Sequence, residues 1–256
     1  MADLLPALPE NWDRCLAVAA HPDDIEYGTA SAVARWTAAG KQVTYLLATR
    51  GEAGIDGMRP EQAAPLREDE ERAGAREVGV DVVEFLDHHD GVVEYGPALR
   101  RDIARAIRRH RPEVIVVGPY EIQMMGGMLN QADHRVVGLA TLDAARDAGN
   151  RWIFPELLDE GLEPWGGARF ICVAGSDRPT HGVEVTGEPL RRGIASLAAH
   201  AEYTKGLGAG GFEPGPFLTW FAQMGGKPMG VPEAVLFEVH MLAFEGPPPW
   251  LAEDAS

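Results

Sequence analysis

Short apolar runs alternate with longer segments of helical periodicity along most of the chain. CLAVAA (15–20) is continuously apolar and is followed at once by polar HPDD. Residues 28–39 are alanine-rich, with Val33 and Trp36 at helical spacing, and Gly40 stops them. QVTYLLAT (42–49) predicts a second strand, ended by RGEAG. APLREDEERAGAREVGV predicts a strongly charged helix with Leu66, Ala73 and Val78 on its buried side, and DVVEFLD a third strand. PALRRDIARAIRRHRP is an amphipathic helix with Leu99, Ile103 and Ile107 inward, ended by Pro112. VIVVGPY is near-uniformly apolar, as a strand covered on both faces should be. A helix over ADHRVVGLATLDAARDAG, a fifth strand at RFICVAG, a sixth at VEVT and a long last helix over EPLRRGIASLAAHAEYTKG complete the pattern.

Strand and helix in alternation argue for an α/β fold, Rossmann-like, with a mostly parallel sheet and helices on both faces. Sites in such sheets lie beyond the carboxyl ends of the strands. The polar motifs fall there: HPDD, RGEAG, DHHDG and PYEIQ follow the first four strands in turn. Two stretches are expected to be irregular, EIQMMGGMLNQ (121–131) and the Gly/Pro/Met-rich segment 206–232. With no internal repeat and no linker composition, residues 1–256 are read as one domain.

Charge narrows the partners. Lys and Arg total 23 against 39 Asp and Glu, a formal net charge of -16. Such a surface repels phosphate backbones and anionic lipid, so nucleic acid and membrane partners are not expected; a small neutral or cationic substrate is. Cys15 and Cys172 each sit beside an apolar run and read as buried free thiols. The N-terminus has no basic segment before an apolar stretch, and no apolar run approaches the roughly 18 residues of a membrane span, which predicts a cytoplasmic protein.

The densest chemistry is Ala20-His21-Pro22-Asp23-Asp24. Zinc accepts imidazole nitrogen and carboxylate oxygen readily, and a catalytic zinc takes three protein ligands with a position left for water. Adjacent aspartates cannot easily project in one direction, so one can hold metal while its neighbour faces the water. A helix-capping turn is the competing reading. A third ligand must come from elsewhere, and Asp133-His134-Arg135 opens a helix after the fourth strand, on the same sheet edge.

AHPDD followed about a hundred residues later by DHR resembles the LmbE/PIG-L family of zinc N-deacetylases. The likeness runs from residue 15 to about 140 and includes LATRGEAG and the Arg67 helix. It implies Zn2+ held by His21, Asp24 and His134, Asp23 as general base, and Asp133 as the partner that orients a metal-bound imidazole. It implies Arg67 and Asp90 as groups that touch the sugar, and an N-acetylated amino-sugar conjugate as substrate. Relatives often form homo-oligomers. Many members read HPDH at the second motif; here it is Gln131-Ala132-Asp133-His134. Gln131 can donate an N–H to the developing oxyanion but carries no positive charge. The tyrosine some relatives place two residues earlier is Leu129. The resemblance leaves two other functions open: an amidase acting on a thiol-sugar conjugate, and a zinc-holding binding protein with weakened catalysis.

Other polar residues carry plainer readings. Arg67 could be solvated on its charged helix, Asp90 and Glu52 could be ordinary loop residues, and His88 and His89 read as exposed loop histidines. Glu26 reads as a first-turn helix charge, and His200 as a surface or packing residue. Met124, Met125, Met128, Phe217, Trp220 and Phe221 are expected to flank the cleft and bind an apolar aglycone, with ordinary packing as the alternative.

Overall fold

A computed structural model describes residues 4–206 and 212–243. The first apolar runs form parallel strands β1 (Arg14–Ala19), β2 (Gln42–Leu47), β3 (Val82–Phe85) and β4 (Val114–Val117). A small antiparallel hairpin, β5 (Gln123–Met124) and β6 (Met128–Leu129), follows. β7 (Phe170–Ala174), β8 (His181–Glu184) and β9 (Ala234–Met241) come later. The helices are α1 (Asp24–Gly28), α2 (Ala30–Ala38), α3 (Pro60–Glu77), α4 (Pro97–His110), α5 (Ala132–Asp147), α6 (Glu156–Asp159), α7 (Glu188–Ala198), α8 (Ala201–Gly206) and α9 (Pro214–Gly226).

Among the described residues the main sheet has seven strands in the order β3-β2-β1-β4-β7-β9-β8. The first five are mutually parallel, and β9 runs antiparallel to both β7 and β8. Side chains alternate across the sheet, so β1 sends Cys15, Ala17 and Ala19 to one core and Leu16, Val18 and Ala20 to the other. The first core is covered by α2, α7 and α9, the second by α4 and α5. Each fully buried Leu, Ile or Val, such as Leu16, Ile107 or Val114, contributes about 1.5–3 kcal/mol by leaving water. The order of connection reverses between β1 and β4, and a crevice opens where it reverses. His21 leaves β1 into that crevice, and the segment that leads to α5 leaves β4 into it.

Several expectations need correction. The helix over 28–39 begins at Ala30 as α2, with the short α1 before it, and the long helix over 188–206 breaks between α7 and α8 at Ala199 and His200. The strand expected at VEVT begins two residues earlier, at His181. β9 was not expected at all; it inserts between β7 and β8 and makes the sheet mixed. Residues 206–232 are not irregular throughout, because Pro214 starts α9; residues 207–211 of that stretch lie outside the described residues. Gly225 and Gly226 mark close packing there rather than a loop, since a Cβ on either would strike the carbonyl of Ala234 or Val231.

Helix α3 departs most from its pattern. Its inward stripe is Ala63, Arg67, Glu70, Glu71, Gly74, Ala75 and Val78, while Leu66 and Ala73 are only half-buried. Three charged side chains therefore enter the interior, and all three have duties there. Glu70 accepts the backbone N–H groups of Glu202 and Tyr203 and so caps the start of α8.

Candidate metal centre

Asp24 folds back on its own turn. Its Oδ2 accepts the N–H of Ala20 at 3.1 Å and of His21 at 2.8 Å, leaving Oδ1 at 3.0 Å from His134 Nε2. His21 Nδ1 lies 3.5 Å from Asp24 Oδ2 and 3.2 Å from His134 Nε2. Among the described residues, this trio is one of three groups whose donor atoms converge closely enough to hold a metal ion; the others are His21, Asp90 and Asp133, and Glu26, Glu71 and His200.

The far nitrogens of both histidines are engaged. His21 Nε2 faces Asp90 Oδ1 at 3.0 Å and Asp133 Oδ2 at 3.3 Å, both acceptors, so this nitrogen carries the proton. His134 Nδ1 faces Asn130 Oδ1 at 3.1 Å. The Asn130 amide cannot turn round, because its Nδ2 donates to the carbonyls of Pro119 and Glu121. His134 Nδ1 is therefore the donor, and Nε2 is left with a lone pair. Two imidazole lone pairs thus point at each other beside a carboxylate. A single proton or a cation between them relieves the contact, and two imidazole nitrogens with a carboxylate oxygen are a donor set zinc accepts.

Electrostatics favour a cation in the same corner. Burial disfavours the charged form of His21, but the Asp24 charge and hydrogen bonds to Asp133, Asp24 and Asp90 outweigh it and push the imidazole up to about 12. His134 is also raised, burial being overcome by Asp24. Protons on both facing nitrogens would clash at 3.2 Å, so one shared proton or one cation fits between them. Burial raises the Asp24 carboxyl, yet His134 and His21 hold it well below the usual range. Asp133 and Asp90 are lowered too: burial opposes this, but His21 and backbone N–H donors prevail, from Gly91 and Val93 to Asp133 and from Ala53 to Asp90.

Asp23 points elsewhere. Its backbone lies in the left-handed region, at φ 91°, which turns its side chain away from that of Asp24. Its Oδ1 pairs with Arg67 Nη2 at 3.2 Å, and both side chains are buried. Burial pushes the Asp23 carboxyl up, Arg67 opposes, Asp24 and Glu26 add to the rise, and the balance is about 8. Arg67 also donates to the Pro22 carbonyl, and its guanidinium stacks 3.6 Å from the Tyr203 ring centre. The RGEAG glycines make room for it: a Cβ on Gly54 would overlap Arg67 Nη1, and one on Gly51 would lie 3.0 Å from the guanidinium carbon.

The sequence-derived residues are thus gathered at one place: His21, Asp23, Asp24, Arg67, Asp90, Gln131 and His134 all line a single cavity of about 990 Å³, with Asp133 buried just behind. Gln131 is exposed and precedes α5 at its N-cap. Arg67 is not solvated, and Glu26 is not an exposed helix charge: both are 1% exposed. His200 is wholly buried, 3.7 Å from Glu71. Glu52 accepts the backbone N–H of Arg50 and of Asp90. His89 is exposed, while His88 pairs with Asp102 at 3.2 Å. Sequence reasoning missed Asn130, Glu71 and Tyr203. Glu71 stands four residues after Arg67 in α3, the spacing that puts side chains on one helix face, whereas Asn130 lies in the segment just before α5.

This α/β fold, with His and Asp side chains gathered at its switch point, is matched among known proteins. Residues 16–145 match the PIG-L family, GlcNAc-PI de-N-acetylase, and the chain belongs to that family. It is 31% identical over 157 residues to a diacetylchitobiose deacetylase of Thermococcus kodakarensis, covering 59% of this chain and 56% of that protein. It is 30% identical over 220 residues to the 1D-myo-inositol 2-acetamido-2-deoxy-alpha-D-glucopyranoside deacetylase of Kineococcus radiotolerans, covering 70% of this chain and 55% of that protein. The chain therefore spans about half the length of these relatives. Its fold is that of the N,N'-diacetylchitobiose deacetylase of Pyrococcus horikoshii, with a TM-score of 0.79 and 21% identity over 95% of this chain and 90% of that one. Among the described residues, no helix is long and apolar enough to cross a membrane.

Proposed function

We propose that this protein is a zinc-dependent N-deacetylase that hydrolyses the acetamide of an amino-sugar conjugate, releasing acetate and a free amine. The observation that carries it is the pair of histidine nitrogens facing each other at 3.2 Å beside Asp24, each with its far side held by an acceptor. The names of the relatives supply the reaction class.

His21 Nδ1, Asp24 and His134 Nε2 would hold the ion, and Asp133, Asp90 and Asn130 orient the imidazoles. Zinc in such a site acidifies water and polarises an amide carbonyl. Asp23 takes the proton of the attacking water and passes it to the leaving nitrogen. Arg67, 3.2 Å away, favours the ionised form of Asp23, the form that accepts a proton, and a cation beside Asp24 would favour it further. Arg67 and Asp90 line the polar end of the cavity, where the sugar would be held. Gln131 donates an N–H to the carbonyl oxygen as charge develops on it. Gln131→Ala is expected to lower kcat by less than the ~10²–10³ typical of a lost oxyanion donor, with KM little changed. A kcat equal to the parent's would remove Gln131 from the mechanism.

The cavity is larger than one sugar needs. Beyond the polar end it is lined by Met124 and Met128 of the hairpin and by Phe217, Trp220, Phe221 and Met224 of α9. Met128, Trp220 and Met224 are solvent-exposed apolar side chains, which suits an apolar group attached to the sugar. Trp220→Ala is expected to raise KM several-fold for an aryl or alkyl N-acetylglucosaminide and to leave free N-acetylglucosamine unaffected; equal effects on both would refute aglycone recognition. The reaction itself is tested by mass spectrometry after incubation with N-acetylglucosaminides, where a loss of one acetyl group is expected. Intact acetamides alongside a cleaved sugar–cysteine amide would replace deacetylation by the amidase reading.

A further inference from the structure

The backbone of Asp23 is held in the left-handed region, at φ 91°, which few residues other than glycine adopt. Among the described residues, only Asp23, Arg111 and Phe154 have positive φ without being glycine. The turn is pinned at three points by one helix. Arg67 donates to the Pro22 carbonyl and pairs with the Asp23 carboxylate. Glu71, one turn further along α3, accepts the Asp23 backbone N–H through Oε2 at 3.0 Å. Resting on the reading of Asp23 as the proton acceptor, we propose that Glu71 is a positioning residue: its buried carboxyl clamps the Asp23 amide and so holds the left-handed turn that aims the Asp23 carboxyl, while Asp24 is fixed separately by the N–H groups of Ala20 and His21.

The surroundings of Glu71 support a duty beyond packing. It is fully buried, and its Oε1 has no hydrogen-bond partner. Behind it lie Glu26 and His200, both buried, with His200 Nε2 at 3.7 Å from Glu71 and 3.9 Å from Glu26, and without hydrogen bonds. An apolar side chain would pack against this face of α3 without the desolvation that a carboxyl suffers there. What a carboxyl adds is an acceptor at Oε2, and that atom meets the Asp23 N–H. Without it, the amide is buried without a partner and the turn relaxes toward ordinary φ, swinging the Asp23 carboxylate away from the cleft. Burial drives the Glu71 carboxyl well above its usual range, with Glu26 adding and the Asp23 N–H opposing. A neutral amide is thus the close mimic, and a carboxylate one methylene shorter is not.

The test compares Glu71→Gln, Glu71→Asp and Glu71→Ala in the zinc-loaded full chain, with kcat, KM and metal content measured for each and the Asp23 amide followed by NMR of 15N-labelled protein. Glu71→Gln keeps an acceptor at the same reach, so a kcat within about threefold of the parent and an unshifted, slowly exchanging Asp23 amide are expected. Glu71→Asp and Glu71→Ala should lose that amide signature and fall about 10²-fold in kcat, the scale of a misplaced catalytic group, with KM and zinc content unchanged. If Glu71→Ala does not fold, the Gln and Asp variants carry the comparison. The clamp is overturned if Glu71→Asp turns over like the parent per zinc-loaded molecule, or if Glu71→Gln is as impaired as Glu71→Ala. Full activity in Asp23→Asn would instead overturn the role of Asp23, and the amide resonance would still decide the clamp, its loss in Glu71→Asp supporting it and its persistence refuting it.

Discussion

His134→Ala is expected to leave the protein without its metal and without turnover. His134 supplies one of two facing nitrogens, and its removal leaves His21 and Asp24 as a two-point site. Even loss of an outer partner of a metal-bound imidazole typically weakens metal binding by about 10–100-fold. Asn130→Ala, which frees the His134 ring to turn, should fall in that range, and removal of the ligand itself should exceed it. Elemental analysis after dialysis against a chelator decides both: full zinc occupancy in His134→Ala would refute the site. The same histidines predict the effect of pH. Asp24 and its neighbours raise the proton affinity of His21 and His134 in the metal-free site, so protons compete with the ion across the neutral range. Binding releases protons, and the apparent affinity for zinc rises as pH rises. A competition titration that gave one affinity at about pH 6 and about pH 8, either side of the ordinary imidazole range, would contradict this.

How much of this was legible in the chain depended on what each residue's neighbours are. The parallel strands were readable because CLAVAA and VIVV are buried on both faces and apolar at every position, and QVTYLL is buried and apolar towards its carboxyl end. The gathering of His21, Asp24 and His134 followed from that topology, since loops after β1 and β4 must meet at the switch point. Helix α3 was misread because periodicity assumes that charge points outward. Arg67, Glu70 and Glu71 point inward, where Asp23 and the start of α8 use them. Helix α9 was hidden by its own glycines and prolines, which serve as a first-turn residue at Pro214 and as points of close approach at Gly225 and Gly226. Strand β9 completes the sheet from the far end of the chain, inserting antiparallel between β7 and β8, a placement that the local pattern of AVLFEVHM does not encode. Of the two readings of His200, surface or packing, its burial against Glu26 and Glu71 supports the second.

The two adjacent aspartates are expected to fail in different ways when each is replaced. Asp23→Asn keeps the size of the side chain and its contact with Arg67 but removes the basic oxygen. Metal content should remain at the parent's level, while kcat falls by roughly 10²–10⁴-fold, the usual contribution of a general base. Asp24→Ala should instead lower metal occupancy, because Asp24 is the carboxylate that both His134 and His21 face, at 3.0 and 3.5 Å. It should also loosen the turn, since its Oδ2 accepts the N–H groups of Ala20 and His21. The pair is informative because the two changes are equally close to the centre and lie in the same turn. A loss of activity alone cannot tell a missing ion from a missing base, but occupancy measured on the same samples can. Adding zinc in excess should recover part of the rate of Asp24→Ala, by mass action on a weakened site, and none of the rate of Asp23→Asn. If Asp23→Asn emptied the centre while Asp24→Ala stayed loaded, the roles of the two would be exchanged, and the left-handed turn at Asp23 would be aiming a ligand rather than a base.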